Sequence, residues 1–148
     1  MAKLSIDLSA IIIFTGYTQH MFRSREMFIA YRDLRANEKI VISGIGETCL
    51  QSIGKGDVYL GLAVLGIESE PILTNVLYVP DLRANLLSGS QLINNQVHLH
   101  LFDHGCDCHH NSELITHAFR KSGLFFLHTW TSVGSREQPI RVAAYAIT

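Results

Sequence analysis

Charge is sparse in this chain and nearly cancels: 12 Lys and Arg stand against 13 Asp and Glu, a net charge of −1 over 148 residues. No positive field therefore draws it to nucleic acid or to an anionic membrane, and basic residues gather only at Arg23/Arg25 and Arg120/Lys121. Long apolar runs are missing as well. The longest near the start, Ala10-Ile11-Ile12-Ile13-Phe14, is too short for a signal-peptide core or a membrane span. Asp7 lies just upstream of it, where a signal peptide needs positive charge. Cysteine occurs three times, at Cys49, Cys106 and Cys108, an odd number that fits a reduced compartment better than a disulfide framework. The expectation is a cytoplasmic protein without nucleic-acid or membrane partners.

What is present suits a single folded domain. Hydrophobic residues make up 47% and charged residues 17%, enough to fill a core and too apolar for disorder. β-branched and aromatic residues fall in many short runs punctuated by Gly, Asn, Asp and Pro. The runs 3–8, 10–14, 39–42, 48–53, 57–64, 72–79, 96–102, 114–119 and 124–129 read as strands, with the spacing of an all-β sandwich or barrel. Residues 24–30 read as helical, and 88–92 as a short helical turn that Ser88 can cap. The 72–79 run is apolar at almost every position, as in a strand covered on both faces. Residues 131–138 are polar, so the chain divides into a β-domain over 1–130 and a C-terminal tail or added strand over 131–148.

Two segments carry a family resemblance. Ile11-Ile12-Ile13-Phe14-Thr15-Gly16-Tyr17-Thr18-Gln19-His20-Met21 resembles the protease signature of copia-type retrotransposons, an apolar strand running into Asp-Ser-Gly-Ala-Thr/Ser-x-His-Met. Asn75-Val76-Leu77-Tyr78-Val79-Pro80-Asp81-Leu82-Arg83-Ala84-Asn85-Leu86-Leu87-Ser88-Gly89-Ser90-Gln91-Leu92 resembles the same family's downstream segment almost residue for residue. The pairs Gly44/Gly46 and Gly54/Gly56 and the run Ser122-Gly123-Leu124-Phe125-Phe126-Leu127 fall in the family's order, so the likeness covers roughly residues 10–128. The resemblance implies an all-β, retropepsin-like closed barrel with one short helix, an obligate homodimer in which each chain supplies one catalytic loop.

The departure from that pattern governs function. Phe14 stands where the family has its catalytic Asp, Thr15 where it has Ser, and Tyr17 where it has a small Ala. Aspartic proteolysis needs two carboxylates sharing one proton, and a benzyl ring can neither hold that proton nor polarise water. Two readings of Phe14 remain: decay, with the ring filling vacated space, or a cleft remodelled for an apolar ligand. In the second, Phe14, Thr15, Gly16 and Thr18 would bind a hydrophobic small molecule or peptide, walled by a flap drawn from residues 58–67. A third possibility is a cofactor-free enzyme of isomerase, cyclase or lyase type, with His20 and Tyr17 moving a proton.

Other suggestive residues weigh less. Asp103-His104-Gly105-Cys106-Asp107-Cys108-His109-His110 is rich in metal-ligating types, but Cys-x-Cys is too tight for a structural zinc knuckle and no second pair follows at suitable spacing. The segment reads as a hairpin strand with Cys106, Cys108 and His110 on one face, Asp107 and His109 on the other. His98 and His100 share a strand face and could meet a carboxylate. Neither glycine pair has the ending of a phosphate loop, so both read as turns and bulges. No metal and no cofactor are expected.

Overall fold

The computed structural model describes residues 9–42, 49–64, 67–127, 140–141 and 145–147. The strand expected at 3–8, the Gly44/Gly46 pair and most of the tail lie outside them. The elements run β1 (Ile11–Phe14), β2 (Met21–Phe22), β3 (Phe28–Asp33), β4 (Val41–Ile42), β5 (Leu50–Gln51) and β6 (Gly54–Tyr59). There follow β7 (Leu62–Val64), β8 (Ile67–Ser69), β9 (Pro71–Tyr78), β10 (Asn85–Ser88), helix α1 (Gly89–Asn94), β11 (Val97–Phe102) and β12 (Gly105–His110). The last are β13 (Glu113–Lys121), β14 (Leu124–Leu127), β15 (Ile140–Arg141) and β16 (Tyr145–Ile147). The protein is thus mostly β, with one short α-helix among the described residues, and no helix there is long and apolar enough to cross a membrane.

Ten strands line up as β11-β12-β13-β14-β1-β10-β2-β9-β6-β3, with β16 joining β9 in parallel. At the centre β1 lies parallel to β10, pairing Phe14 with Ser88, and antiparallel to β14. Alternation on these central strands feeds two cores. Ile11 and Ile13 join Phe22, Leu73, Leu87 and Leu127 on one side, while Ile12 joins Met21, Leu77, Val79, Leu86 and Phe126 on the other. This explains why such strands are apolar at nearly every position: both faces are covered, and each fully buried Leu, Val or Phe contributes about 1.5–3 kcal/mol.

Local chemistry fixes the connections. Asn111 and Ser112 both have positive φ between β12 and β13, as do Ser122 and Gly123 between β13 and β14, so both hairpins close on two residues in the left-handed region that matches strand twist. Ser88 caps α1, its Oγ accepting the Gln91 N–H at 3.1 Å. Residues 24–30 do not form the expected helix. Only Arg25–Met27 makes a 3-10 turn, and Phe28 already begins β3. Helix propensity in Arg-Glu-Met is overridden by tertiary packing: Phe28, Tyr31 and Tyr78 meet edge to face at 5.6–5.7 Å, and the Arg25 guanidinium covers the Tyr31 ring at 3.7 Å.

Candidate functional site

β1 ends at Phe14, and the chain then loops through Thr15–Gln19 before β2. Because Phe14 pairs in register with Ser88, the loop is tethered to the start of α1. Ser88 makes the tether three ways: its N–H donates to His20 Nδ1 at 2.9 Å, its hydroxyl donates to the Tyr17 carbonyl at 2.5 Å, and the same oxygen caps the helix. The His20 carbonyl accepts the Leu77 N–H at 2.9 Å, tying the loop's far end to β9. Ser88 went unnoticed as a site residue in the sequence beyond its capping role. Its signal was there, inside the Asn85–Leu92 segment, but its partners are 68 and 71 residues away.

The candidate residues separate into two environments. His20 is only 3% exposed, and burial lowers its pKa to about 4, so the ring is neutral near pH 7. With Nδ1 accepting from Ser88, the proton sits on Nε2. The imidazole is therefore a buried anchor for the loop. Phe14, Thr15, Gly16 and Thr18 are exposed, and Tyr17 is half-buried with its ring 5.6 Å from that of Phe14. Phe14 is 36% exposed, so its ring stands out at the end of β1 rather than filling a hole beneath the loop.

Beside the loop lies an open groove of about 210 Å³, lined by Tyr17, Thr18, Met21, Ile40, Val41 and Leu77 among others. Its far wall is the β4 segment, where Ile40 and Val41 expose their side chains. Of the expected wall at 58–67, Val58, Leu60 and Leu62 are buried in the larger core and do not line this groove. Of the six candidates, Tyr17 and Thr18 line the groove, and Phe14 reaches it only through its contact with Tyr17.

The histidine- and cysteine-rich segment forms β12, with the expected faces. Cys106 and Cys108 point into the core, while Asp107 lies in register with His100 on β11 and His117 on β13. Asp107 Oδ1 takes His117 Nδ1 at 2.7 Å, so the carboxylate available to the β11 histidines is engaged by β13 instead. Its hydrogen bond to the Cys106 sulfur, then burial, pushes the Cys108 thiol up, away from the thiolate that metals require. Among the described residues no three His, Cys, Asp or Glu converge on one point. Dialysis against a chelator is expected to leave the melting temperature unchanged; a fall of many degrees with stoichiometric zinc released would make this segment a metal centre.

Comparison with known proteins adds one match. Residues 11–97, more than half of the chain and including the whole tethered loop, match the family model described as Pol polyprotein, beta-barrel domain. No curated protein and no solved structure matches.

Proposed function

Since the chain belongs to the family of β-barrel domains of Pol polyproteins, we propose that it is a copia-type, retropepsin-like domain that has lost its catalytic aspartate and binds an apolar small molecule or peptide where protease substrate would lie. The carrying observation is Phe14: at the end of β1, where the resemblance puts the aspartate, an exposed aromatic ring packs on Tyr17, which lines the open groove. A ring that had merely filled vacated space would be buried. The closed barrel and the homodimer, with Thr15–Thr18 loops facing across a two-fold axis, belong to the same reading, because one loop per chain supplies half a cleft and two-fold pairing is the commonest closure.

Binding is preferred over the isomerase-type alternative because of His20. Its Nδ1 is occupied and its ring is buried, so among the described residues no histidine or carboxylate lines the groove as a free base. Tyr17 alone would have to carry proton transfer. Purified protein is expected to show no pepstatin-sensitive cleavage of any peptide, and Phe14→Asp alone to restore none, since Tyr17 still crowds the loop. An anilinonaphthalene dye should bind saturably. Phe14→Ala and Tyr17→Ala should each weaken it about tenfold or more, the equivalent of about 1.5–3 kcal/mol of aromatic burial. Unchanged dye affinity in both variants would remove the groove from function and leave a scaffold.

A further inference from the structure

The main sheet ends in two unlike strands. β3 is guarded in ways that natural edges usually are: it has a register shift between Phe28 and Ala30 that extrudes Ile29, and it carries Arg32 and Asp33, with Arg32 paired to Glu38 at 2.9 Å. β11 has no such device. Val97-His98-Leu99-His100-Leu101-Phe102 pairs with β12 through six successive residues without a shift. It contains no Gly, Pro, Lys, Arg, Asp or Glu. Among the described residues nothing pairs with its outer edge. At its end Leu101 is 56% and Phe102 39% exposed. A regular, uncharged, β-prone edge invites another strand.

We propose that this strand is the seam between two copies of the chain: β11 pairs antiparallel with β11 of a second copy about a two-fold axis at His100. The inference rests on the homodimer reading and supplies the surface that reading lacks. A second copy is favoured because β11 complements itself. A two-fold axis normal to the sheet keeps each face on its own side, so residues of like parity must oppose one another. With the axis at His100, Leu99 faces the partner's Leu101 and His98 faces the partner's Phe102. The exposed leucine is covered by a leucine and the exposed phenylalanine by an imidazole, on both sides of the axis. Moving the axis to Leu99 would instead set Phe102 opposite the partner's Gln96, beyond the strand.

Position argues the same way. A Cβ added at Gly89 would lie 3.2 Å from the Thr15 methyl and 3.6 Å from Leu99, so β11 and the tethered loop share the first turn of α1. An axis through β11 therefore runs beside the loop, and pairing the strands brings the two loops to the same side of the dimer.

The test places cysteines at the two sheet edges in a Cys49→Ser background, since Cys49 is the exposed native thiol. On mild oxidation His100→Cys should give a covalent dimer, because residues opposed on an axis lie within disulfide reach. Ile29→Cys, also exposed on β3, should stay uncrosslinked. By sedimentation, Leu101→Lys should raise the dimer dissociation constant at least about tenfold, since it places two buried ammonium groups in the seam. Its exposure in the single chain leaves the fold intact. A wild-type dimer that ignores Leu101→Lys and fails to cross-link at position 100 would overturn the seam while leaving the homodimer. Wild-type protein that stays monomeric at micromolar concentration would overturn both, whatever else covers β11, and the groove would still be judged by its dye affinity.

Discussion

Between pH 6.5 and about 4 the protein is expected to lose on the order of 3 kcal/mol of stability through His20 alone. Unfolded, this imidazole takes a proton near pH 6.5; folded, burial delays protonation to about 4. Across that window the unfolded chain binds the extra proton, so stability falls as pH falls. Above 6.5 the full stability is present, and below about 4 the loss is complete and constant. Protonation would also put a donor on Nδ1, opposing the Ser88 N–H that now donates to it at 2.9 Å. Denaturant titrations at pH 7 and pH 5 measure the effect, with His20→Asn separating it from the seven other histidines. The asparagine carbonyl can still accept from Ser88 but does not titrate, so the variant should lose markedly less stability than wild type over this range. Equal pH dependence in the two proteins would remove His20 as the cause.

Gly56→Ala is expected to destabilise the fold by about 3 kcal/mol or more, far beyond the usual cost of adding a methyl group. A Cβ at Gly56 would strike the Ala30 carbonyl oxygen and crowd the Tyr31 Cα, which are backbone atoms and cannot turn aside. The reason lies in the neighbours of β6. Pairing with β3 shifts between Phe28 and Ala30, and pairing with β9 shifts between Gly56 and Val58, where Asn75 adopts a φ of 57°. Two irregularities meet at one level of the sheet, and only the smallest residue lets the strands stay close. Thermal unfolding checks this directly, and Lys55→Ala serves as a neutral comparison from the same strand. A variant at position 56 that melts within a degree or two of wild type would show that β3 can move away.

Much of this architecture is written locally. Ile72–Val79 read as doubly covered because nearly every side chain is apolar, and β9 does divide Leu73 and Leu77 between the two cores. Ser88 announced a cap, and the alternation of Cys106, Asp107 and Cys108 announced a strand with one buried face. What could not be read was set by distant partners. Phe28-Ile29-Ala30-Tyr31 becomes a strand because Tyr78 and Gly56 are there to receive it. Asn85–Ser88 is too short to signal a strand, yet it is buried at every position because β1 and β2 flank it. The lining of the open groove was hidden for the same reason. Val58, Leu60 and Leu62 look like a flap in sequence, but their depth depends on Leu73 and Leu87, whereas Ile40 and Val41 become a wall through their place opposite Tyr17.

The central pairing of β1 also governs the order in which the molecule can assemble. Ile11–Phe14 must find Asn85–Ser88 on one side and Phe125–Phe126 on the other, so the middle of the sheet cannot be completed until β14 has been made. Closing loops of that length before any contact rewards them slows folding. The β11–β14 meander has no such delay, since each strand meets its sequence neighbour across a two-residue turn. Assembly should therefore begin in the later half of the chain and finish when the waiting β1 slots between strands already in place. Until then its three consecutive isoleucines remain open to solvent, the segment through which a stalled or truncated chain would aggregate.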